Sequence, residues 1–223
     1  MSREISTCQN VEIDGEKIPC DFTVEYEMKD SGKRALFPTG AQRDTSTNKP
    51  RPDLISPYVM KELFTLHADG WRYDKAECIR GLVNNLTIFR DDPQHQGALV
   101  LLSLQRVINI MYLEIANSDT ELYNSNRVLA TGLLRIGEWL RLGAIKYNEW
   151  NWAKGIPVSR CYESAIRHLM QYLSGATDED HLAALGCNLM FIYHYYYVIE
   201  MGYMEAEIKD LKSIKEITCH DEQ

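Results

Sequence analysis

The chain is poor in the patterns that mark zinc knuckles, secreted scaffolds and nucleic-acid grips. Its 6 cysteines (Cys8, Cys20, Cys78, Cys161, Cys187 and Cys219) show no CxxC or CxxxC spacing, which removes the usual zinc-finger and thioredoxin-like readings. Reduced thiols in a cytoplasm fit best. Positive charge is also scarce: 24 Lys and Arg face 32 Asp and Glu, a formal net charge of -8. Non-specific hold on a nucleic-acid backbone needs clustered cations that release counterions. No nucleic-acid partner is therefore expected, while a local basic pocket for a small phosphate ligand is compatible with this balance. The first residues, Met-Ser-Arg-Glu-Ile-Ser-Thr, lack the apolar stretch of a secretory signal, and no low-complexity tract interrupts the chain.

What is present is an ordinary globular mixture, 45% hydrophobic and 25% charged over 223 residues, enough to bury a substantial core. One segment tests that reading. Leu182 to Ile199 carries no formal charge and is nearly long enough to span a bilayer. It also contains Asn188, His194 and the cluster Tyr193, Tyr195, Tyr196 and Tyr197, whose polar atoms sit badly in hydrocarbon. A helix buried in protein is expected, with no membrane partner.

Residues 1–40 read as an N-terminal flap. Val11-Glu12-Ile13 and Glu16-Lys17-Ile18 flank Asp14-Gly15, a type I′ hairpin signal, and Asp21 to Met28 alternates like another strand. From Pro38 to Pro57 the chain is rich in turn formers and reads as a loop. Helical spacing of apolar residues then runs through Val59 to Trp71, Ala98 to Asn117 and Asn126 to Tyr147. A helix from about Arg160 to Leu173 and a longer one starting near Asp178 form a hairpin across Ser174-Gly175-Ala176-Thr177. Residues 205–223 read as a charged tail with a peripheral, fraying helix. The expectation is an all-α helical bundle over 41–204 with a small N-terminal β-flap. The apolar and aromatic content of Leu182 to Tyr203 exceeds what one neighbour normally covers, which predicts a homodimer or homotetramer.

The last hairpin holds the residues best suited to chemistry. Tyr162, Ile166, Leu169, Met170 and Leu173 share one apolar arc, with Glu163 and Arg167 together at its border. His168 falls about 140° from Glu163, so those two are poorly placed to share one metal ion. On the next helix His181, Leu185, Asn188, Ile192 and Tyr195 form a stripe, and Asp178, Glu179 and Asp180 crowd the first turn. Antiparallel packing sets Asp180 more than two turns from Glu163, so a shared site would need a kinked helix or a dimer partner. Structural readings stand beside these: Thr177-x-x-Asp180 matches a capping box, Glu163 and Arg167 match an i,i+4 ion pair, and His194 matches a core histidine. Upstream, Lys146-Tyr147-Asn148-Glu149-Trp150-Asn151-Trp152-Ala153-Lys154-Gly155 mixes amines with indoles. That suits a nucleotide, with an indole against a base and amines for phosphates, or a helix end closed by aromatic packing.

Three stretches resemble the phage-associated family named for the dATP/dGTP diphosphohydrolase N-terminal domain. They are Phe37 to Asp44 with Lys49 to Pro57, then Gly143 to Gly155, then Glu163-Ser-Ala-Ile-Arg-His168 continuing through Asp178-Glu-Asp-His-Leu-Ala-Ala184 to Asn188. The resemblance implies a fold of MazG-like type and release of pyrophosphate from purine deoxynucleoside triphosphates with Mg²⁺ or Mn²⁺, in a cytoplasm, the host's if the chain is phage-encoded. It implies substrate contacts from Arg43, Lys49, Arg51, Lys146, Asn151, Trp152, Lys154, Arg167 and Asn188. Glu163, Asp180 and His181 are the expected metal ligands, with Glu163, His168 and His181 in the chemistry. Two departures stand out: the EExxE and ExxD carboxylate pairs of MazG-like enzymes are absent, and residues 74–130 read as a helical insert. A helical protein that sequesters a nucleotide without turnover is the alternative, and turnover with metal separates the two.

Overall fold

A computed structural model describes residues 11–13, 16–18, 34–44, 48–66, 72–116, 120–122 and 125–218. The chain divides into residues 1–48 and residues 49–223, where the sequence places the boundary near residue 40. In the first unit β1 (Val11–Ile13) and β2 (Glu16–Ile18) pair antiparallel with Val11 opposite Ile18. The expected strand over Asp21 to Met28 lies outside the described residues. A second hairpin, β3 (Arg34–Leu36) with β4 (Gln42–Asp44), occupies part of what reads as loop. Its turn closes where the Phe37 amide donates to the Ala41 carbonyl at 2.9 Å. Three-residue strands give too short an alternation to be seen against Thr, Gly and Pro.

The second unit is the helical bundle. Its helices are α1 (Pro57–Leu66), α2 (Lys75–Asp91), α3 (Gly97–Ala116), α4 (Ser125–Tyr147), α5 (Val158–Leu173), α6 (His181–Glu200) and the short α7 (Ile214–Thr218). β5 (Arg72–Asp74) and β6 (Thr120–Leu122) form one more antiparallel pair beside them. The stretch that reads as an insert thus supplies α2, α3 and the β5–β6 pair, and α3 packs directly on α6. Leu104, Ile108 and Met111 of α3 and Leu185, Leu189 and Ile192 of α6 are buried, each such side chain contributing about 1.5–3 kcal/mol of transfer free energy.

Helix α6 packs against α1, α3, α4 and α5, which is why its sequence is apolar all round rather than on one stripe. Both α3 and α6 are long and apolar enough to cross a membrane by length and composition, and both are mostly buried within the fold. The aromatic excess on α6 is therefore covered by its own chain, and it no longer motivates self-association.

The start of α6 differs from the capping box expected at Thr177. Asp180 is the N-cap, accepting from the Ala183 amide at 3.0 Å. Near α4, the segment before α1 crosses so closely that a Cβ on Gly137 would stand 2.7 Å from the Pro52 nitrogen. The Arg51 amide donates to the Gly137 carbonyl across that crossing, at 3.0 Å. Beyond α6, the segment around residues 210–212 is fastened to the bundle. Asp210 accepts from the Ser159 amide at 2.8 Å and its hydroxyl at 2.6 Å, and Arg90 donates to the Lys212 carbonyl.

Candidate functional site

Helices α4, α5 and the first turns of α6 enclose a cleft of about 1180 Å³. One face of α4 lines it, with Arg135, Glu138, Trp139, Leu142 and Lys146 at three- and four-residue intervals. The turn after α4 closes one side. There Asn148 and Trp150 hold φ of 73° and 58°, a region that an indole-bearing residue adopts only under constraint. Opposite, α5 contributes Arg160, Ser164, Arg167, His168 and Gln171.

Helices α5 and α6 run antiparallel, since His168 meets His181 while Ser164, a turn earlier, meets Asn188. The Nδ1 atoms of His168 and His181 lie 3.2 Å apart. His181 Nε2 sits 3.0 Å from Asp178 Oδ1. A carboxylate accepts, so Nε2 carries the proton and Nδ1 turns its lone pair toward His168. That hydrogen bond holds the Asp178 carboxyl below the usual carboxylate range. Burial, helped by the nearby Arg167, pushes His168 below its ordinary value, favouring the neutral imidazole that a metal requires. Glu179 completes the group: His168, Glu179 and His181 each bring one ligand atom within 4.8 Å of the others.

Arg135 anchors the same corner. Its Nε and Nη2 donate to the two Asp180 oxygens at 2.6 and 2.9 Å, and its Nη1 donates to Glu114 at 2.8 Å. Asp180 accepts as well from its capped amide, so three protein donors already share its two oxygens, which makes it a poorer candidate for a metal ligand than Glu179. The guanidinium sits above its ordinary pKa although burial works against it, because both carboxylates hydrogen-bond to it.

Glu163 stands apart from this group. Its carboxylate pairs with Arg160 at 2.9 Å, not with Arg167, on the exposed side of α5, and it does not line the cleft. Arg167 donates instead to Ser164 Oγ at 3.1 Å. The antiparallel register keeps Glu163 level with the middle of α6, away from Asp180, for the helical-rise reason visible in the sequence.

Of the other expected residues, Lys146, Asn151, Trp152 and Asn188 line the cleft with Arg167, His168 and Asp180. His181 stands behind His168 and is buried. Arg43 belongs to β4 of the first unit. Lys49, Arg51 and Lys154 lie outside the lining, and Arg51 is held by Asp53 and Glu149 at 2.7 and 2.6 Å. Trp152 is 7% exposed. It stacks on Phe191 at 5.1 Å and meets the His194 ring edge-on at 4.9 Å, so it is a wall of the core rather than a free platform. The more open indole is Trp150, 41% exposed.

The sequence reading passed over Arg135, Glu138, Trp139, Arg160 and Gln171, and took Trp152 rather than Trp150 from the Lys146–Gly155 block. The signal for the first three was the α4 stripe itself, polar residues recurring at helical spacing just upstream of Lys146. Comparison with curated proteins gave no match, and neither did comparison with solved structures. Residues 115–201 match the family model described as dATP/dGTP diphosphohydrolase, N-terminal, and that stretch holds every cleft-lining residue except Leu54. Over residues 115–201, which build most of this cleft, the chain is similar to the dATP/dGTP diphosphohydrolase N-terminal family.

Proposed function

We propose that the cleft hydrolyses purine deoxynucleoside triphosphates to the monophosphate and pyrophosphate with a divalent cation, Mg²⁺ or Mn²⁺. The observation that carries this reading is the coincidence of three things at one cleft: cations for phosphates, an open indole for a base, and a His–Glu–His group of which His168 and Glu179 line the cleft. The family match over the same residues supports it.

The donor set fits a cation. Two imidazole nitrogens and one carboxylate converge, and His181 has its second nitrogen fixed by Asp178, the usual support for a metal-binding imidazole. His168, Glu179 and His181 are therefore the residues that would hold the ion. When bound, it neutralises phosphate charge and activates water. The remaining work in phosphoryl chemistry is positioning and electrostatic stabilisation. Lys146, Arg160 and Arg167 supply positive charge for the phosphates, while Asn151 and Asn188 offer amides to the substrate. Trp150 faces the base, with a stacked base worth about 1–3 kcal/mol on comparable aromatic platforms. Water adds to the α-phosphorus, the bond to the bridging oxygen breaks, pyrophosphate departs and one proton is released.

The test is a panel of nucleoside and deoxynucleoside triphosphates incubated with and without Mg²⁺ or Mn²⁺ and resolved by chromatography. Monophosphate and pyrophosphate from dATP and dGTP are expected. Orthophosphate as the product would move the cleaved bond, and unaltered nucleotide would leave a binder.

A further inference from the structure

We infer that the His168–Glu179–His181 group is built for a first-row transition ion rather than for Mg²⁺, with Asp178 as the positioning residue that sets the His181 tautomer. The inference rests on the metal-dependent reading above and narrows it.

The geometry begins with the two imidazoles. Two nitrogens bound to one ion at about 2.0–2.1 Å, at angles between octahedral and tetrahedral, stand about 2.9–3.4 Å apart. His168 Nδ1 and His181 Nδ1 stand 3.2 Å apart. Each comes from a different helix, and both rings are buried, 7% and 3% exposed. Neither depends on a flexible side chain for its place.

Donor chemistry then selects the ion. Mg²⁺ is hard, prefers oxygen and holds its waters, and its sites are made of carboxylates and phosphates. Imidazole favours the later first-row ions, and affinity for nitrogen sites rises from Mn²⁺ toward Cu²⁺. With two nitrogens to one carboxylate, the group leans to nitrogen. The carboxylates that would make an oxygen-rich site are engaged elsewhere: Asp180 by Arg135, and Asp178 by His181 Nε2. Glu179 alone is left for the ion, and it stands on the exposed side, where a nucleotide phosphate can reach the open positions.

Asp178 acts through His181. By accepting from Nε2 at 3.0 Å it keeps the proton off Nδ1, the nitrogen that faces His168. An asparagine in its place offers a weaker acceptor and no charge. Losing such a support typically costs about 10–100-fold in metal affinity. Without a metal the same pair is satisfied by a simple hydrogen bond from His168 Nδ1 to His181 Nδ1, so geometry and metal binding must be separated by experiment.

The experiment titrates Co²⁺ into untagged, metal-stripped full-length protein without nucleotide and follows visible d–d absorption, with Mg²⁺ added afterwards as competitor. A ligand-field band that survives millimolar Mg²⁺ is expected. Asp178→Asn should weaken Co²⁺ binding about 10–100-fold with an unchanged thermal midpoint, since Asp178 is an exposed residue. Glu179→Gln should weaken it while leaving the histidine-derived nitrogen shifts responsive to the ion. No band, or a band abolished by equimolar Mg²⁺, overturns the inference. Co²⁺ bound with no nucleotide turnover would sink the hydrolase reading and leave this inference standing. Turnover with Mg²⁺ and no Co²⁺ site would do the reverse.

Discussion

His168 on α5 and His181 on α6 meet with their Nδ1 atoms 3.2 Å apart across the helical hairpin, and Asp178 grips the far nitrogen of His181 at 3.0 Å. The carboxylate that converges with both rings is on Glu179, not on Glu163.

That relationship separates two glutamates. Glu163→Gln should leave nucleotide hydrolysis within a few-fold of wild type, because its exposed pair with Arg160 contributes only about 0.2–0.5 kcal/mol to a helix. Glu179→Gln should lower it by orders of magnitude, since a metal's stabilisation of the transition state is worth several kcal/mol. Initial rates for the two variants under saturating metal decide the matter, and an inactive Glu163→Gln protein would return the metal site to the outer face of α5.

The two indoles should part in the same way. Trp152→Ala removes a ring packed between Phe191 and His194, and cutting such a core residue costs about 3–5 kcal/mol of stability. Trp150→Ala should keep cooperative unfolding, because Trp150 is 41% exposed and the substitution leaves the left-handed φ of 58° with a Cβ as before. It should instead weaken nucleotide affinity by about 1–3 kcal/mol. Thermal denaturation and calorimetric titration of each variant check both halves.

How much of this was legible depends on period. The amphipathic runs that became α3, α4 and α5 announce themselves because apolar residues recur over several turns, and the separation of Glu163 from Asp180 follows from helical rise alone. The strand pairs β3–β4 and β5–β6 are three residues long and leave no alternation to read. Within the site, Lys146, His168, Arg167 and Asn188 were visible as polar residues in a suggestive block. Arg135 was not, because a single arginine in a helix looks like solvent-facing charge until Asp180 and Glu114 are seen on either side of it. Glu179 was hidden among three consecutive acids, which complement a helix dipole equally well.

Acid should weaken the fold through His194. Burial holds this imidazole below its ordinary value of 6.5, beside Ser56 Oγ at 2.9 Å. Above that value neither the folded nor the unfolded chain carries the proton, and the group adds no pH dependence. As pH falls through it, the unfolded chain takes up the proton first, so stability is lost until the folded pKa is passed. The thermal midpoint of metal-stripped protein should drop as pH falls below 6.5, and His194→Gln should flatten that slope. An equal slope in the variant would assign the effect to other groups.

Self-association is expected to use α4 rather than α6. Leu134 and Ile145, outside the cleft lining, are 49% and 71% exposed along one side of that helix, an apolar pair that a partner would cover. Light scattering at micromolar concentration should give a dimer or tetramer, and Ile145→Glu should shift it to monomer. A wild-type monomer contradicts this.

The central claim is that the cleft turns over nucleotide, and the direct measurement is chromatography of dATP and dGTP after incubation with protein and Mn²⁺, with a chelator in the parallel reaction. The account predicts conversion to dAMP or dGMP with stoichiometric pyrophosphate, abolished by the chelator and by His181→Gln. Recovery of intact triphosphate from protein that binds it tightly in the presence of metal would contradict the account and make the cleft a site of sequestration.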